Sequence, residues 1–341
     1  MSEIGLPQGA GELISQAGLS GEIVMQALPG GANNQVYRVI VGNKVFLLKA
    51  YFQHPDDHRD RLNAEFDFSQ FSWGLGLRCL PQPIACEQQH RLALYSFVEG
   101  RSLTAHEVTE KVVRQALDFY CELNRCKEQH GAKALPLASE ACFSLSQHLQ
   151  CVEQRVGRIQ DIDCSSSVDE AAARFVDGQL VDAWGRVKEE ALGRARQLNV
   201  AVDDEIDVAD RCISPSDFGF HNALLTNDGT IYFVDFEYAG WDDPAKMVCD
   251  FFCQPALPVP PEQWDPFVGV VVAELAKSDL HSQRIALLRP VYQIKWCCIL
   301  LNDFLSVGDQ RRRFAGHGVD RDNQKQLQLD KARLSLKHLD I

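Results

Sequence analysis

No stretch of the 341-residue chain stays apolar over the roughly 18 residues that a membrane-spanning helix needs. The N-terminus, MSEIGLPQGAGELISQ, lacks the basic start and apolar run of a secretory signal. A cytoplasmic protein with no membrane partner is therefore expected. Positive charge is short as well: 34 Lys and Arg stand against 47 Asp and Glu, a net charge of -13. Such a chain has no general attraction for nucleic acid. Twelve cysteines are present but no Cys-x-x-Cys pair, so the usual zinc spacing is missing, and the content is too low for a disulfide scaffold. Cys297 and Cys298, inside WCCILL, read as buried thiols that pack like hydrophobes. There is no internal repeat, no G-x-G-x-x-G and no Walker A loop.

What is present describes a folded protein: 45% hydrophobic and 24% charged residues are ordinary globular usage. At roughly 150 residues per domain, the length suggests two domains or lobes. The β-rich runs 36–41 and 44–51 are joined by Gly42-Asn43, a tight-hairpin pair. A helix is expected over 61–72, then short strands at 84–87 and 92–98. From residue 102 the pattern turns helical. Val112, Val113, Ala116, Leu117, Tyr120 and Leu123 form an apolar stripe on a helix capped near Thr109, and a long helix is expected over 169–197. Another holds Tyr292, Trp296, Ile299, Leu300 and Phe304, while four prolines at 255, 258, 260 and 261 mark a loop. The expected fold is α+β, with a small β-rich N-terminal lobe (1–99), a connector near 96–101 and a larger helical C-terminal lobe (100–341). The ligand site belongs in the cleft between them.

Three segments carry chemistry. Leu28-Pro29-Gly30-Gly31-Ala32-Asn33-Asn34 precedes the first strand, and its glycines let backbone amides approach a bulky anion; by itself it also reads as a plain turn. Lys49 lies in the next strand and Glu65 on the following helix, a pair that would hold an ammonium toward phosphates or serve only as a surface ion pair. The most informative run is Ile213-Ser214-Pro215-Ser216-Asp217-Phe218-Gly219-Phe220-His221-Asn222. Phosphoryl transfer to an alcohol needs a carboxylate to orient the hydroxyl and an oxygen ligand for magnesium, and Asp217 and Asn222 supply both. Asp235, thirteen residues further on at the end of Ile231-Tyr232-Phe233-Val234, supplies a second metal carboxylate. The alternative makes these residues an N-cap, a turn residue and a strand-end cap.

With these residues in this order, the chain resembles the aminoglycoside phosphotransferase and choline kinase family, relatives of the protein kinases. Asp217-x-x-x-x-Asn222 matches the family's catalytic loop and Val234-Asp235-Phe236-Glu237-Tyr238-Ala239-Gly240 its metal-binding segment. Gly30-Gly31-Ala32-Asn33-Asn34 resembles its phosphate loop, Lys49 its strand lysine, Glu65 its helix glutamate and Phe97-Val98-Glu99-Gly100 its hinge. The likeness spans about residues 25–305. It implies a two-lobe protein-kinase-like fold, Mg2+ and ATP or GTP as cofactors, and phosphate contacts from Gly30, Gly31, Asn34, Lys49 and Glu65. It also implies adenine contacts from Ser96, Phe97 and Val98, magnesium on Asn222 and Asp235, and a hydroxyl oriented by Asp217. Pro215-Ser216 departs from the family's His-Gly, so other packing is expected to hold Asp217, with His221 as a candidate replacement.

The acceptor is expected to be a small molecule with a hydroxyl and an amine, because residues 100–341 carry a net charge of -10 (27 basic, 37 acidic). Glu237, Asp242 and Asp243 are expected to face it, with Trp241 offering cation-π contact. A sugar without an amine is the runner-up. A protein kinase is disfavoured by the lack of HRD and Ala-Pro-Glu. A nucleotide-binding pseudokinase is the reading from outside the enzymes.

Overall fold

The computed structural model describes residues 6–28, 34–53, 59–305 and 321–339. Gly30 and Gly31 lie outside them. Helix α1 (Ala10–Gln16) is followed by strands β1 (Ile23–Leu28), β2 (Gln35–Val41) and β3 (Lys44–Ala50), helix α2 (Arg61–Gly74), and strands β4 (Pro83–Glu87) and β5 (Leu92–Ser96). The strands form one antiparallel sheet in the order β1-β2-β3-β5-β4. Gly42 turns the expected hairpin at φ 60°, a left-handed conformation that glycine adopts without steric cost.

The two-residue period of a strand sorts this sheet's residues onto two faces. Leu48, Leu92 and Leu94 pack with Ala10, Leu13 and Ile14 of α1. Ala93 and Tyr95 face the other way, onto Leu62 and Phe66 of α2. Lys49, next to Leu48, shares the α2 face, which is how a strand lysine comes to be 95% buried beside a helix carboxylate. Asp60 caps α2 by accepting the Asn63 N–H.

Beyond the connector, β6 (Arg101–Ser102) leads to α3 (Glu110–Arg125), α4 (His130–Lys133), α5 (Leu145–Ile159), α6 (Ser167–Phe175) and α7 (Val181–Gln197). The expected stripe of α3 is buried throughout; Thr109 occupies the N-cap position, but its side chain makes no capping bond. The single helix expected over 169–197 is instead two, joined by a wide π turn at Val176–Leu180. The wider turn shifts the helical phase, so that Phe175, Val176, Leu180, Ala183 and Trp184 all reach the core.

Short strands β7 (Cys212–Ser214), β8 (Ala223–Leu225), β9 (Ile231–Phe233) and β10 (Gly240–Asp242) follow, then α8 (Pro244–Cys253), α9 (Trp264–Ala273), α10 (Ser278–Leu300) and α11 (Arg321–Lys337). β10 pairs with β7, while β8 pairs with both β6 and β9. Helix α10 runs through Pro290, and Cys297 and Cys298 on it are fully buried. Among the described residues, no helix is long and apolar enough to cross a membrane.

Candidate active site

The β7–β10 and β8–β9 pairs place three loop ends side by side. Asp217 follows β7, Asn222 precedes β8 and Asp235 follows β9. The Val234 N–H donates to the Asn222 carbonyl (2.9 Å), which ties the second loop to the third. Phenylalanines anchor the loop that carries Asp217. Phe218 stacks on Phe251 (5.1 Å between centroids) and lies 5.0 Å from Phe233, and Phe220 meets Phe251 edge-on at 5.5 Å. The Ser216 N–H donates to Ser214 Oγ (3.1 Å) in the same loop. Ser216 and Asp217 both lie in the left-handed region (φ 49° and 39°), a strained pair of the kind found where the surroundings over-determine a functional loop.

Asp217 is held on both oxygens. His221 Nε2–H donates to Oδ1 (3.3 Å), and Asn222 Nδ2 donates to Oδ2 (3.2 Å) and to the Asp217 carbonyl (3.0 Å). The imidazole reaches Asp217 because residue 219 is glycine: a Cβ there would lie 2.7 Å from His221 Nδ1. Burial pushes the Asp217 carboxyl up, but the His221 and Asn222 bonds and the Lys295 charge outweigh it, so its pKa lies below the ordinary carboxylate value. It is ionised at neutral pH and accepts hydrogen bonds.

Lys49 crosses the cleft. Its Nζ bonds Glu65 Oε2 (2.6 Å) on one side and Asp235 Oδ1 on the other. Burial disfavours the ammonium, but the Asp235, Glu65 and Glu237 charges prevail and hold its pKa well above the ordinary lysine value. Asp235, itself at φ 68°, keeps a partly exposed side chain. Asn222 commits its amide nitrogen to Asp217 and so has its amide oxygen left for another partner. A carboxylate and a carboxamide oxygen are hard donors that suit magnesium, which takes one or two protein oxygens and completes its shell with phosphates and water. Among the described residues, no three His, Cys, Asp or Glu side chains gather as a site that would hold a metal alone.

The connector begins at the edge of the sheet. Ser96 is committed to the edge of β4: its N–H donates to the Gln82 carbonyl (2.9 Å) and its hydroxyl accepts the Gln82 N–H (2.8 Å). Ser96, Phe97 and Val98 also line a cavity of about 350 Å³ with Trp73, Arg78 and Tyr232. None of Lys49, Asp217, Asn222 or Asp235 contributes to its wall.

The expectation for the acceptor-facing acids is corrected. Asp242 and Asp243 have no solvent exposure. Asp242 is paired with Lys246, and Asp243 with Arg284 and with His148 Nε2 (3.0 Å), while its Oδ1 caps α8 by accepting the Ala245 N–H (2.7 Å). Neutralised and sealed, they cannot meet a ligand. Glu237 is equally buried and points to the other lobe, where its Oε2 accepts from Asn34 Nδ2 at 2.6 Å. Asn34 is thereby turned inward too, with 2% of its surface exposed. Trp241 is half-buried, its indole N–H donating to the Ala132 carbonyl (2.9 Å). Two residues around the Asp217–His221 pair were not anticipated: Trp296, whose ring meets His221 edge-on at 6.4 Å, and Lys295, whose charge acts on Asp217 and which is paired with Asp250 at 2.8 Å.

Asp243→Asn is expected to destabilise the protein by about 3 kcal/mol or more, because it leaves the buried Arg284 without its counter-charge. Burial opposes the Asp243 carboxylate, but Arg284 and His148 outweigh it and depress its pKa. Its contribution is therefore complete above the unfolded carboxyl value of about 3.9 and lost as pH falls below it. Denaturation midpoints of parent and variant should converge in acid; a constant gap would contradict the pairing.

Residues 24–276 match the model of the phosphotransferase enzyme family. The chain belongs to that family. No curated protein matches its sequence. Among solved structures, spectinomycin phosphotransferase in complex with ADP and spectinomycin is similar at a TM-score of 0.58 and 15% identity, over 96% of this chain and 99% of that one. Ethanolamine kinase from Plasmodium vivax is similar at 0.58 and 15%, over 91% and 82%. Choline kinase from Streptococcus pneumoniae is similar at 0.55 and 14%, over 96% and 97%. These likenesses concern the fold, the two-lobe protein-kinase-like arrangement described above. The sequence-derived residues Lys49, Glu65, Asp217, Asn222 and Asp235 are linked here by one chain of contacts.

Proposed function

We propose that this phosphotransferase is a magnesium- and nucleotide-dependent kinase that moves the γ-phosphoryl group of ATP or GTP to the hydroxyl of a small, amine-bearing acceptor. The observation that carries the reading is the Glu65–Lys49–Asp235 bridge, tied through the Val234–Asn222 backbone bond to an Asp217 held on both oxygens. Magnesium on Asn222 and Asp235 would neutralise charge on the phosphates. Lys49, kept protonated by its acidic neighbours, binds phosphate oxygens. The Ser96 carbonyl, Phe97 and Val98 offer backbone groups to the base. Asp217 orients the acceptor hydroxyl, whose oxygen forms the new bond to phosphorus as the bond to the nucleoside diphosphate breaks. The hydroxyl proton passes to the Asp217 carboxylate, whose low pKa makes it a positioning group and late proton acceptor more than a strong base. The boundary between nucleotide and acceptor lobes is placed at the 96–101 connector.

The amine rests on the net charge of -10 over residues 100–341, now without Asp242 and Asp243 as ligand contacts. It is supported by the molecules named with the similar folds: choline, ethanolamine and spectinomycin all carry cationic nitrogen. A panel of amino alcohols, aminoglycosides and neutral sugars tests this with labelled ATP. The efficiency kcat/KM for a cationic acceptor should fall as ionic strength rises. Efficient phosphorylation of a neutral sugar with no salt dependence, and of no amine, would replace the amine by the sugar.

A further inference from the structure

Among the contacts that join the lobes at residues 235–237, two differ in kind. Lys49–Asp235 faces the cleft. Asn34–Glu237 does not: both residues are 98% buried, 203 positions apart, and joined at 2.6 Å. The second bond is the centre of a knot. Asn34 Oδ1 accepts the Phe52 N–H (3.2 Å), Arg61 Nη1 donates to the Phe52 carbonyl (3.3 Å), and Arg61 Nε lies 3.5 Å from Glu237 Oε2. The knot therefore gathers the residue that heads β2, the residue just past the end of Tyr51 after β3, the first residue of α2 and the residue two past Asp235. Lys49 sits opposite Val36 in the β2–β3 ladder, two residues from Asn34.

We propose that Asn34 and Glu237 form a fixed clasp that keeps Lys49 in register with Asp235 while those two exchange partners for the magnesium-bound phosphates. The inference rests on the function proposed above. When Asp235 serves the ion and Lys49 the phosphates, their mutual bond can no longer hold the lobes together, whereas the clasp, sealed and two residues away, is untouched by the ligand. Asn34 and Glu237 are positioning residues, acting on nucleotide through Lys49 and Asp235. Because the clasp is the same with and without ligand, its loss weakens binding only by lowering the fraction of free protein that holds Lys49 and Asp235 in register; a fall of that fraction to about a tenth weakens affinity about tenfold.

The test exchanges donor and acceptor. Asn34→Asp sets a second carboxylate against Glu237 and should weaken binding of magnesium with a non-hydrolysable ATP analogue by about tenfold or more in calorimetry. The double variant Asn34→Asp/Glu237→Gln restores a donor facing an acceptor, keeps an acceptor for the Phe52 N–H and keeps one negative charge near Arg61. It should return affinity to within about threefold of the parent, a residual of well under 1 kcal/mol on the affinity scale. Thermal unfolding without nucleotide is recorded alongside. A lowered unfolding temperature with unchanged affinity, or a double variant no better than the single, overturns the clasp. Should Asn34→Asp fail to fold, folding of the double variant is the rescue the clasp requires, and the affinity comparison passes to Asn34→Ala. A parent that binds no magnesium-nucleotide overturns the functional reading itself, a distinct outcome visible before any variant is made.

Discussion

Replacing Asp217 by Asn is expected to lower the transfer rate by about 100- to 10,000-fold, the range over which a positioned proton acceptor commonly contributes, while fold and nucleotide affinity stay close to the parent. The change is nearly isosteric, and Phe218 and Phe220, just after it, keep the loop anchored in the aromatic core. An amide at 217 still accepts from His221 through its oxygen. Its nitrogen, however, then opposes the Asn222 amide nitrogen that donates to Oδ2 in the parent, and no carboxylate is left to take the hydroxyl proton. The measurement is steady-state transfer beside a titration with magnesium and ADP. Near-normal turnover by a folded variant would remove Asp217 from the reaction.

Asp235→Ala is expected to weaken nucleotide binding and turnover together, each by about tenfold or more, and to do so only when magnesium is present. The substitution removes both a metal ligand and the second partner of Lys49, which keeps Glu65. Calorimetry with and without magnesium separates the two losses: affinity without the ion should change little, since the ammonium remains to meet phosphates. If magnesium-dependent affinity and rate both equal those of the parent, Asp235 is a strand-end cap and nothing more.

The contacts among the proposed site residues were legible because those residues lie in short loops at fixed spacing or on adjoining elements. Asp217 and Asn222 share one turn, Asp235 ends a strand of plain β pattern, and Lys49 and Glu65 fall on consecutive elements. Burial was not legible from charge. Asp242 and Asp243 look like an acidic patch when residues are counted, yet Asp243-Pro244 is an N-cap followed by proline at the first helical position, and Lys246 and Asp250, four apart on α8, pair on one helix face, with Asp242 at the end of β10 meeting the same Lys246. That local signal pointed inward. Helix α5 likewise had a sign in Ser144-x-x-Gln147, which forms a capping box. The Asn34–Glu237 bond had none, since nothing local in either residue records a partner 203 positions away. The π turn at Val176–Leu180 is of the same kind: the packing of a core decides it, and the apolar pattern reads through it as one helix.

The central claim is phosphoryl transfer to a small-molecule hydroxyl. Phosphorus NMR of the parent with ATP, a mixture of amino alcohols and aminoglycosides, and magnesium tests it most directly. The γ-phosphate resonance should decline as a phosphate monoester signal grows in equal measure, and chelating the magnesium should stop both. Binding of the magnesium-nucleotide with an unchanged γ resonance across amines and neutral sugars alike would contradict the account and leave a nucleotide-binding module.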